Sequence, residues 1–212
     1  MLVGTILYDG VARTDLLLRM TNSFTNQVNG GQSSLSNNAR PTTVSNYMLF
    51  TGTQAVRFSN NNAVWHLSTP YSVEMEVYID EPGTRWIATL GEGFGAGWPE
   101  WTISHNGSNI LFNSSTTNNG YTTSLTMVSN YQAKQWYRLG FMFYAQGDST
   151  RVRLYVNNTP VGDYAMPVPY TTANGLSIGS DWTYNTSTGA SARIFKGRIR
   201  NVTIGRSGFW TV

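Results

Sequence analysis

The chain of 212 residues contains no cysteine, so disulfide bonds, thiolate metal sites and cysteine nucleophiles are excluded. Charged residues are also scarce, at 12% of the chain, and the formal net charge is only +3. A charge this small and this scattered does not indicate a nucleic-acid partner. No apolar segment is long enough to span a membrane. The first residues also lack the basic start and long apolar run of a signal peptide. We therefore expect a chain that begins at Met1, binds no nucleic acid and inserts into no membrane.

Helix-forming residues are also few, and no stretch sustains the apolar period of 3.6 residues that an amphipathic helix requires. The chain is instead rich in residues typical of short strands and tight turns, with 21 glycines, 12 tyrosines, 7 tryptophans and abundant threonine, serine and asparagine. This composition predicts an all-β protein. We expect a short arm or edge strand over residues 1–14, followed by one domain over residues 15–212.

The most distinct pair of strands flanks a polar turn at residues 146–149. Nearly every residue from Leu139 to Tyr144 is apolar, which is typical of a central strand covered on both faces. Residues 151–156 alternate between apolar side chains and arginine or tyrosine, as in a strand with one buried face. A Gly-Asp turn between two such runs predicts an antiparallel hairpin.

Other segments extend this pattern to about a dozen strands. Tyr71–Asp80 alternates regularly between apolar and polar residues. Tyr47–Phe50 and Ala55–Phe58 flank a Thr-Gly-Thr-Gln segment and are interpreted as a hairpin. Residues 194–204 form a long closing strand whose basic side chains are interpreted as a solvated face: Lys196, Arg198 and Arg200. So many strands with turns at regular intervals predict a two-sheet antiparallel jelly-roll sandwich.

The order of these segments resembles the concanavalin A-like, laminin-G-like jelly roll from about Asp15 to Ile204. The opening Asp-Leu-Leu-Leu of residues 15–18 is particularly similar to such domains in bacteriophage tail and virion proteins. The other matching segments are Leu49–Gly52 with Val56–Phe58, Tyr71–Tyr78, Gln135–Trp136, Val152–Asn158, Leu176–Gly179 and Phe195–Val202. The sequence differs from the family at Asn157-Asn158, where Asp-Gly is frequent, and has no counterpart of the acidic cluster found in calcium-binding members.

This resemblance implies a non-enzymatic phage virion protein, either a head decoration or a tail-associated component. Such a protein is made in the host cytoplasm and docks on capsid or tail proteins and on copies of itself as a homo-oligomer. Host surface glycans are a further expected partner. Two other functions stay open: a carbohydrate-binding module or host-receptor adhesin, and a polysaccharide-degrading glycosidase or lyase.

Three acidic residues bear on the enzyme alternative, because Glu74, Glu76 and Asp80 fall on one face of one strand. The nearest pair, Glu74 and Glu76, lies about 6 to 7 Å apart by the rise of a strand. Glycosidases need two carboxylates at comparable spacing, one to protonate the leaving oxygen and one to attack or to activate water. Position 78, however, is tyrosine, which breaks the Glu-x-Asp-x-x-Glu pattern of glycosidases. We therefore interpret these residues as surface carboxylates and predict no catalytic residue.

Aromatic side chains next to glycine, asparagine and threonine are the stronger signal for binding. Flat rings stack on sugars while neighbouring amides bind hydroxyl groups, and the same rings also anchor protein interfaces. Partial burial within long loops is the structural alternative. The candidate ligand-binding residues are Trp98, Trp101, Trp182 and Tyr184. Apolar residues near the two ends of the chain are the candidate assembly contacts, namely Leu2, Ile6, Phe209 and Trp210.

The two histidines, His66 and His105, lie far apart in the sequence, and we expect His105 in a loop. Neither belongs to a His-x-x-x-His or Ser-His-Asp pattern. We therefore predict structural roles for both, with no metal site and no cofactor.

Overall fold

The computed structural model describes residues 6–8, 11–13, 16–21, 34–35, 41–58, 69–91, 99–117, 120–169, 175–180 and 193–206. These residues form β-strands and the turns between them. Within them, no helix has the length and apolar character needed to cross a lipid bilayer.

Seventeen strands are present in the described part of the chain. In chain order they are β1 (Ile6–Tyr8), β2 (Val11–Arg13), β3 (Leu16–Met20), β4 (Ser34–Leu35), β5 (Thr42–Val44), β6 (Tyr47–Thr51), β7 (Val56–Phe58), β8 (Tyr71–Ile79), β9 (Thr84–Gly91), β10 (Pro99–Asn106), β11 (Ile110–Ser114), β12 (Thr123–Val128), β13 (Trp136–Gln146), β14 (Ser149–Val156), β15 (Thr159–Ala165), β16 (Leu176–Ile178) and β17 (Lys196–Gly205). The predicted all-β class is confirmed.

Two large antiparallel sheets make the predicted sandwich. The seven-stranded sheet has the order β12-β11-β10-β9-β16-β7-β4. The eight-stranded sheet has the order β15-β14-β13-β8-β17-β6-β5, with β3 also paired to β17. Aromatic side chains join the two layers: the ring of Phe141 on β13 lies 4.9 Å from Phe112 on β11 and 5.1 Å from Trp101 on β10, measured between centroids. The inner faces of both sheets therefore share one apolar core.

Strand β8 confirms the alternation predicted for Tyr71–Asp80. Tyr71, Val73, Met75, Val77 and Ile79 are all fully buried in the core. Burial of each large apolar side chain contributes about 2 kcal/mol to the free energy of folding. The acidic residues between them consequently face outward from the sandwich.

The predicted central hairpin is also present. Strands β13 and β14 pair in register from Leu139 opposite Val156 to Gln146 opposite Ser149. Met142 and Tyr144 on the outer face of β13 are buried against Tyr155, so this strand is covered on both faces as expected.

The hairpin predicted from Tyr47–Phe50 and Ala55–Phe58 is wrong, because β6 belongs to the eight-stranded sheet and β7 to the seven-stranded sheet. The intervening segment crosses from one layer to the other. Gly52 takes a positive φ of 94°, and the side-chain oxygen of Gln54 accepts a hydrogen bond from the backbone N–H of Thr51 over 2.6 Å. The length of the connecting segment does not distinguish a hairpin within one sheet from a crossover between sheets, because both connections are short.

Strand β17 is the centre of the eight-stranded sheet. One edge pairs with β8, whereas the other pairs first with β6 and then with β3. Opposite β8, the register shifts by one residue between Arg200 and Thr203. Asn201 within this β-bulge has a φ of 53°, in the left-handed region that asparagine tolerates better than most residues.

Strands β1 and β2 form a small antiparallel sheet of their own, with Ile6 opposite Arg13. Both lie within residues 1–14, the segment predicted as an arm or edge strand. Within the described ranges, neither strand pairs with one of the two large sheets.

Candidate functional site

Of the four predicted ligand-binding residues, the structure describes one. Trp98, Trp182 and Tyr184 lie outside the described residues. Trp101 lies in strand β10 and is fully buried, with its ring edge-on to Phe141. Its prediction as a loop ligand contact is wrong, because the chain continues as a strand after Pro99 and directs this ring into the core.

The predicted assembly contacts are almost all outside the described residues. Leu2, Phe209 and Trp210 belong to this group. The backbone of Ile6 lies in β1, paired with Arg13. Their role in assembly stays a prediction.

The carboxylates predicted on the outer face of β8 are each paired with an arginine. Glu74 is almost fully buried, and its Oε1 lies 2.6 Å from the guanidinium of Arg138. The other two pairs are Glu76 with Arg200, at 2.7 Å, and Asp80 with Arg198, at 3.8 Å. Cross-strand pairs of opposite charge stabilise neighbouring strands. This arrangement gives the three carboxylates a structural role within the sheet.

Three aromatic rings and two guanidinium groups lie together on this same outer face. We call this group the outer-face cluster: Tyr47, Tyr78, Trp136, Arg198 and Arg200. All five side chains are half-buried. The guanidinium carbon of Arg198 lies 4.2 Å from the centroid of the Tyr78 ring, and that of Arg200 lies 4.2 Å from Trp136. The Trp136 ring is 5.6 Å from Tyr78 and 6.3 Å from Tyr47.

Strand register brings these side chains together. Trp136 on β13 is directly opposite Tyr78 on β8, which is in turn opposite Arg198 on β17. Arg200 is two residues further along β17 and therefore emerges on the same face. Cation–π contacts at these distances stabilise half-buried groups by about 1 kcal/mol each. The cluster is thus a fixed surface of rings and hydrogen-bond donors.

The basic residues of β17 do lie on one face, as predicted, but they are not simply solvated. Arg198 and Arg200 pack on aromatic rings, and Lys196 binds Glu81 with an N–O distance of 3.1 Å. Sequence reasoning missed the cluster because its members are distant along the chain. The alternation of Arg198 and Arg200 predicted that both side chains lie on one face of a strand, but it did not identify their aromatic partners.

The outer face of the seven-stranded sheet carries small polar side chains that bind one another. Thr102 Oγ1 donates to the carbonyl of Ala88 and lies 3.1 Å from the hydroxyl of Thr89. Asn113 donates to Ser104 and accepts a hydrogen bond from Ser124. These five side chains therefore satisfy one another's hydrogen bonds in part and form a polar network on the sheet.

His105 lies in strand β10 and not in the predicted loop. Its side chain is fully buried, with Nδ1 2.9 Å from the hydroxyl oxygen of Tyr131. Burial, together with the positive charge of Arg85, lowers the pKa of His105 to about 4. His105 is therefore a neutral core residue near pH 7, whereas His66 lies outside the described residues. Across the described ranges, no group of acidic residues and histidines is arranged to hold a metal ion.

Family comparison agrees with the observed sandwich. Residues 50–207 match the model of the concanavalin A-like lectin/glucanase superfamily. The chain belongs to this superfamily. A sequence search of curated proteins finds no match.

Solved structures share the fold at low sequence identity. Domain 4 of an extracellular arabinanase from Geobacillus stearothermophilus, in complex with arabinotriose, is 17% identical with a TM-score of 0.60, covering 90% of this chain and 92% of that one. A structure of botulinum neurotoxin type C, whose cell entry depends on two ganglioside molecules, is 10% identical with a TM-score of 0.66. Trypanosoma rangeli sialidase in complex with sialic acid is 13% identical with a TM-score of 0.64.

These similarities differ in extent. The comparison covers 92% of this chain and 49% of the neurotoxin chain, and 99% of this chain and 34% of the sialidase chain. The chain therefore spans about half of the neurotoxin structure and a third of the sialidase, but nearly all of the arabinanase domain. At these identities the similarity establishes the lectin-like jelly-roll fold.

Proposed function

We propose that this protein is a non-catalytic carbohydrate-binding module and that the outer-face cluster contacts the glycan. The observation that carries the proposal is the grouping of half-exposed Tyr47, Tyr78 and Trp136 beside Arg198 and Arg200. Aromatic rings pack on the C–H faces of sugars, and guanidinium groups donate hydrogen bonds to sugar oxygens. The cluster supplies both kinds of contact on one surface.

The packing of the cluster favours binding because it lowers the entropy lost when a ligand is held. Arg198 and Arg200 are fixed by rings on one side and by carboxylates on the other. Tyr47, Tyr78 and Trp136 are each half-exposed, so part of every ring surface can contact a sugar. Side chains that are already ordered before binding pay little of the usual cost of immobilisation.

Two further observations support this function. The arabinanase domain that this chain covers almost completely is in complex with arabinotriose, so a domain of this fold and size binds an oligosaccharide. Glu74, Glu76 and Asp80 are each bound to arginine, whereas a glycosidase needs two carboxylates directed at the scissile bond. The non-catalytic part of the proposal rests on this pairing.

A glycan array probed with the purified protein tests the proposal. We expect retention on a defined group of glycans and its loss in Trp136→Ala. Tyr164→Ala is the matched control, because Tyr164 is a partly exposed aromatic residue on the edge strand β15 and outside the cluster. Absence of binding by the wild-type protein, or equal retention by both variants, would contradict the proposal.

We also propose, as a second function, that the protein docks on other proteins of a phage virion. Its support is a group of three exposed apolar side chains that are close in the sequence: Val161, Tyr164 and Val168 are 42%, 37% and 63% exposed and fall within eight residues of one another. Val161 and Tyr164 lie on β15, an edge strand of the eight-stranded sheet. Exposed apolar side chains beside an unpaired strand edge are typical of protein docking sites.

The docking function is tested by adding purified protein to virus particles that lack it. We expect a fixed copy number per particle for the wild type and reduced occupancy for Val168→Ser. Trp136→Ala should dock normally, which separates this function from glycan binding. Wild-type protein that stays monomeric and fails to bind the particles would overturn the docking function.

A further inference from the structure

A polar notch adjoins the outer-face cluster at the place where two strands share one edge of β17. Strand β6 pairs with Lys196–Ile199, and β3 pairs with β17 from Val202 onward. Between these two strands, Arg200 and Asn201 are paired in register with neither β6 nor β3. The resulting notch is about 280 Å³ in volume and is open to solvent.

Every residue that lines the notch carries a hydrogen-bonding side chain. The lining residues are Thr21, Ser45, Asn46, Arg200 and Asn201. They provide two hydroxyl groups, two carboxamides and one guanidinium group, and no carboxylate. Sugar hydroxyls both donate and accept hydrogen bonds, so a mixture of amide and hydroxyl groups suits them.

Asn201 is held in place before any ligand arrives. Its backbone N–H donates to the carbonyl of Thr21 over 2.9 Å, and its Nδ2 donates to Glu76 over 2.6 Å. Because Nδ2 is engaged with Glu76, Oδ1 is left as the acceptor that the amide can offer a ligand. Glu76 is therefore a positioning residue for the notch.

The charge of the notch is balanced by the same carboxylate. Glu76 Oε2 binds Arg200 at 2.8 Å through Nε and at 2.7 Å through the terminal nitrogen. This ion pair neutralises the one charged side chain of the lining. A neutral sugar therefore fits the notch better than a sugar with a carboxylate, which would find no uncompensated cation there.

The notch and the outer-face cluster form one continuous surface. Arg200 lines the notch and also packs on Trp136, and Tyr47 directly follows Asn46 in the chain. The volume is just below the usual range for ligand sites, which indicates room for about one sugar ring. Further units of a glycan would then extend over Trp136 and Tyr47.

We infer that this notch is the subsite for a single neutral sugar unit at the end of a glycan, with Asn46 and Asn201 as its specificity-determining contacts. The inference rests on the proposed carbohydrate-binding function. Beyond that function, it specifies where the terminal sugar unit binds and that this sugar is uncharged. Asn46 is exposed in the turn between β5 and β6, so its replacement leaves both sheets intact.

Calorimetric titration with neutral oligosaccharides (lactose, maltotriose and arabinotriose), and with sialyllactose as the acidic counterpart of lactose, tests the inference. We expect the wild type to bind at least one of the neutral oligosaccharides. If lactose is one that binds, it should bind more tightly than sialyllactose. Asn46→Ala and Asn201→Gly should each weaken neutral binding about tenfold, as expected when one or two good hydrogen bonds are lost. Glycine is chosen at position 201 because it retains the positive φ.

Asn158→Gly is the matched control, since Asn158 has a φ of 67° in the exposed turn between β14 and β15. Its affinity should equal that of the wild type. If Trp136→Ala abolishes binding while Asn46→Ala and Asn201→Gly retain it, the notch is not the subsite but the carbohydrate-binding function stands. Tighter binding of sialyllactose than of lactose overturns the neutral class. A wild type that binds none of these probes or array glycans overturns both the function and this inference.

Discussion

The guanidinium group of Arg200 is held between the Trp136 ring, 4.2 Å from its centroid, and the carboxylate of Glu76, 2.7 Å away. The three residues come from three adjacent strands of the eight-stranded sheet. Arg200 therefore links the aromatic part of the outer face to the polar notch. Each of the two contacts can be removed separately by substitution.

Glu76→Gln should destabilise the protein and weaken glycan binding together. Glutamine cannot accept hydrogen bonds from both Arg200 and Asn201 with the strength of a carboxylate, and the positive charge of Arg200 is left uncompensated. Because the pair is partly exposed, we expect a loss of about 1 kcal/mol in the free energy of unfolding. Urea denaturation measures this loss. Glu81→Gln is the control, because Glu81 also binds two cations, Arg85 and Lys196, but is more exposed, so its replacement should change stability less. An equal effect would contradict the assigned role of Glu76.

Asn201→Ala should be less stable than Asn201→Gly. Both variants lose the hydrogen bond to Glu76, so their difference isolates the backbone conformation. At a φ of 53° a Cβ atom without local hydrogen bonds costs about 1 kcal/mol, which glycine avoids. Denaturant midpoints of the two variants measure the difference. Equal midpoints would show that the β-bulge relaxes when its asparagine is replaced.

His105 should make stability depend on pH between 6.5 and about 4. Burial, with the charge of Arg85, lowers the pKa of His105 to about 4, whereas in the unfolded chain it is near 6.5. Within this window the unfolded chain binds a proton that the folded chain does not, so stability falls as the pH falls. Near pH 4, the loss in the free energy of unfolding that is due to His105 reaches about 3 kcal/mol.

Replacement of the histidine tests this pH dependence. In His105→Gln the free energy of unfolding, measured by urea at a series of pH values, should fall less steeply between pH 6.5 and 4. Glutamine retains an amide that can bind the Tyr131 hydroxyl. Parallel pH profiles for the variant and the wild type would contradict the assignment.

Local sequence patterns predicted much of the fold because strand alternation and turn residues act over short distances. Tyr71–Ile79 and the β13–β14 hairpin were identified in this way, and both are confirmed. The error at Phe50 and Val56 arose because a short connection joins either strands of one sheet or strands of facing sheets. Trp101 was misplaced for a related reason, since its Trp-Pro-Glu-Trp context resembles a loop although a strand begins at Pro99.

The candidate site was much harder to predict. Trp136, Tyr78 and Arg200 come into contact only through the strand order β13-β8-β17, which the sequence does not specify. The notch depends on the left-handed conformation of Asn201, and an asparagine within a strand pattern gives no indication of a bulge. Long-range pairing and backbone irregularity thus create the binding surface.

NMR titration with an array-selected neutral oligosaccharide shows whether the outer-face cluster and its notch bind a glycan. We predict that the indole resonance of Trp136 and the side-chain amides of Asn46 and Asn201 shift in a saturable way. The indole of Trp101, buried in the core, should stay unchanged. Saturable shifts confined to the seven-stranded sheet or to the loops, with Trp136 and Asn201 unaffected, would show that the glycan binds elsewhere on the protein.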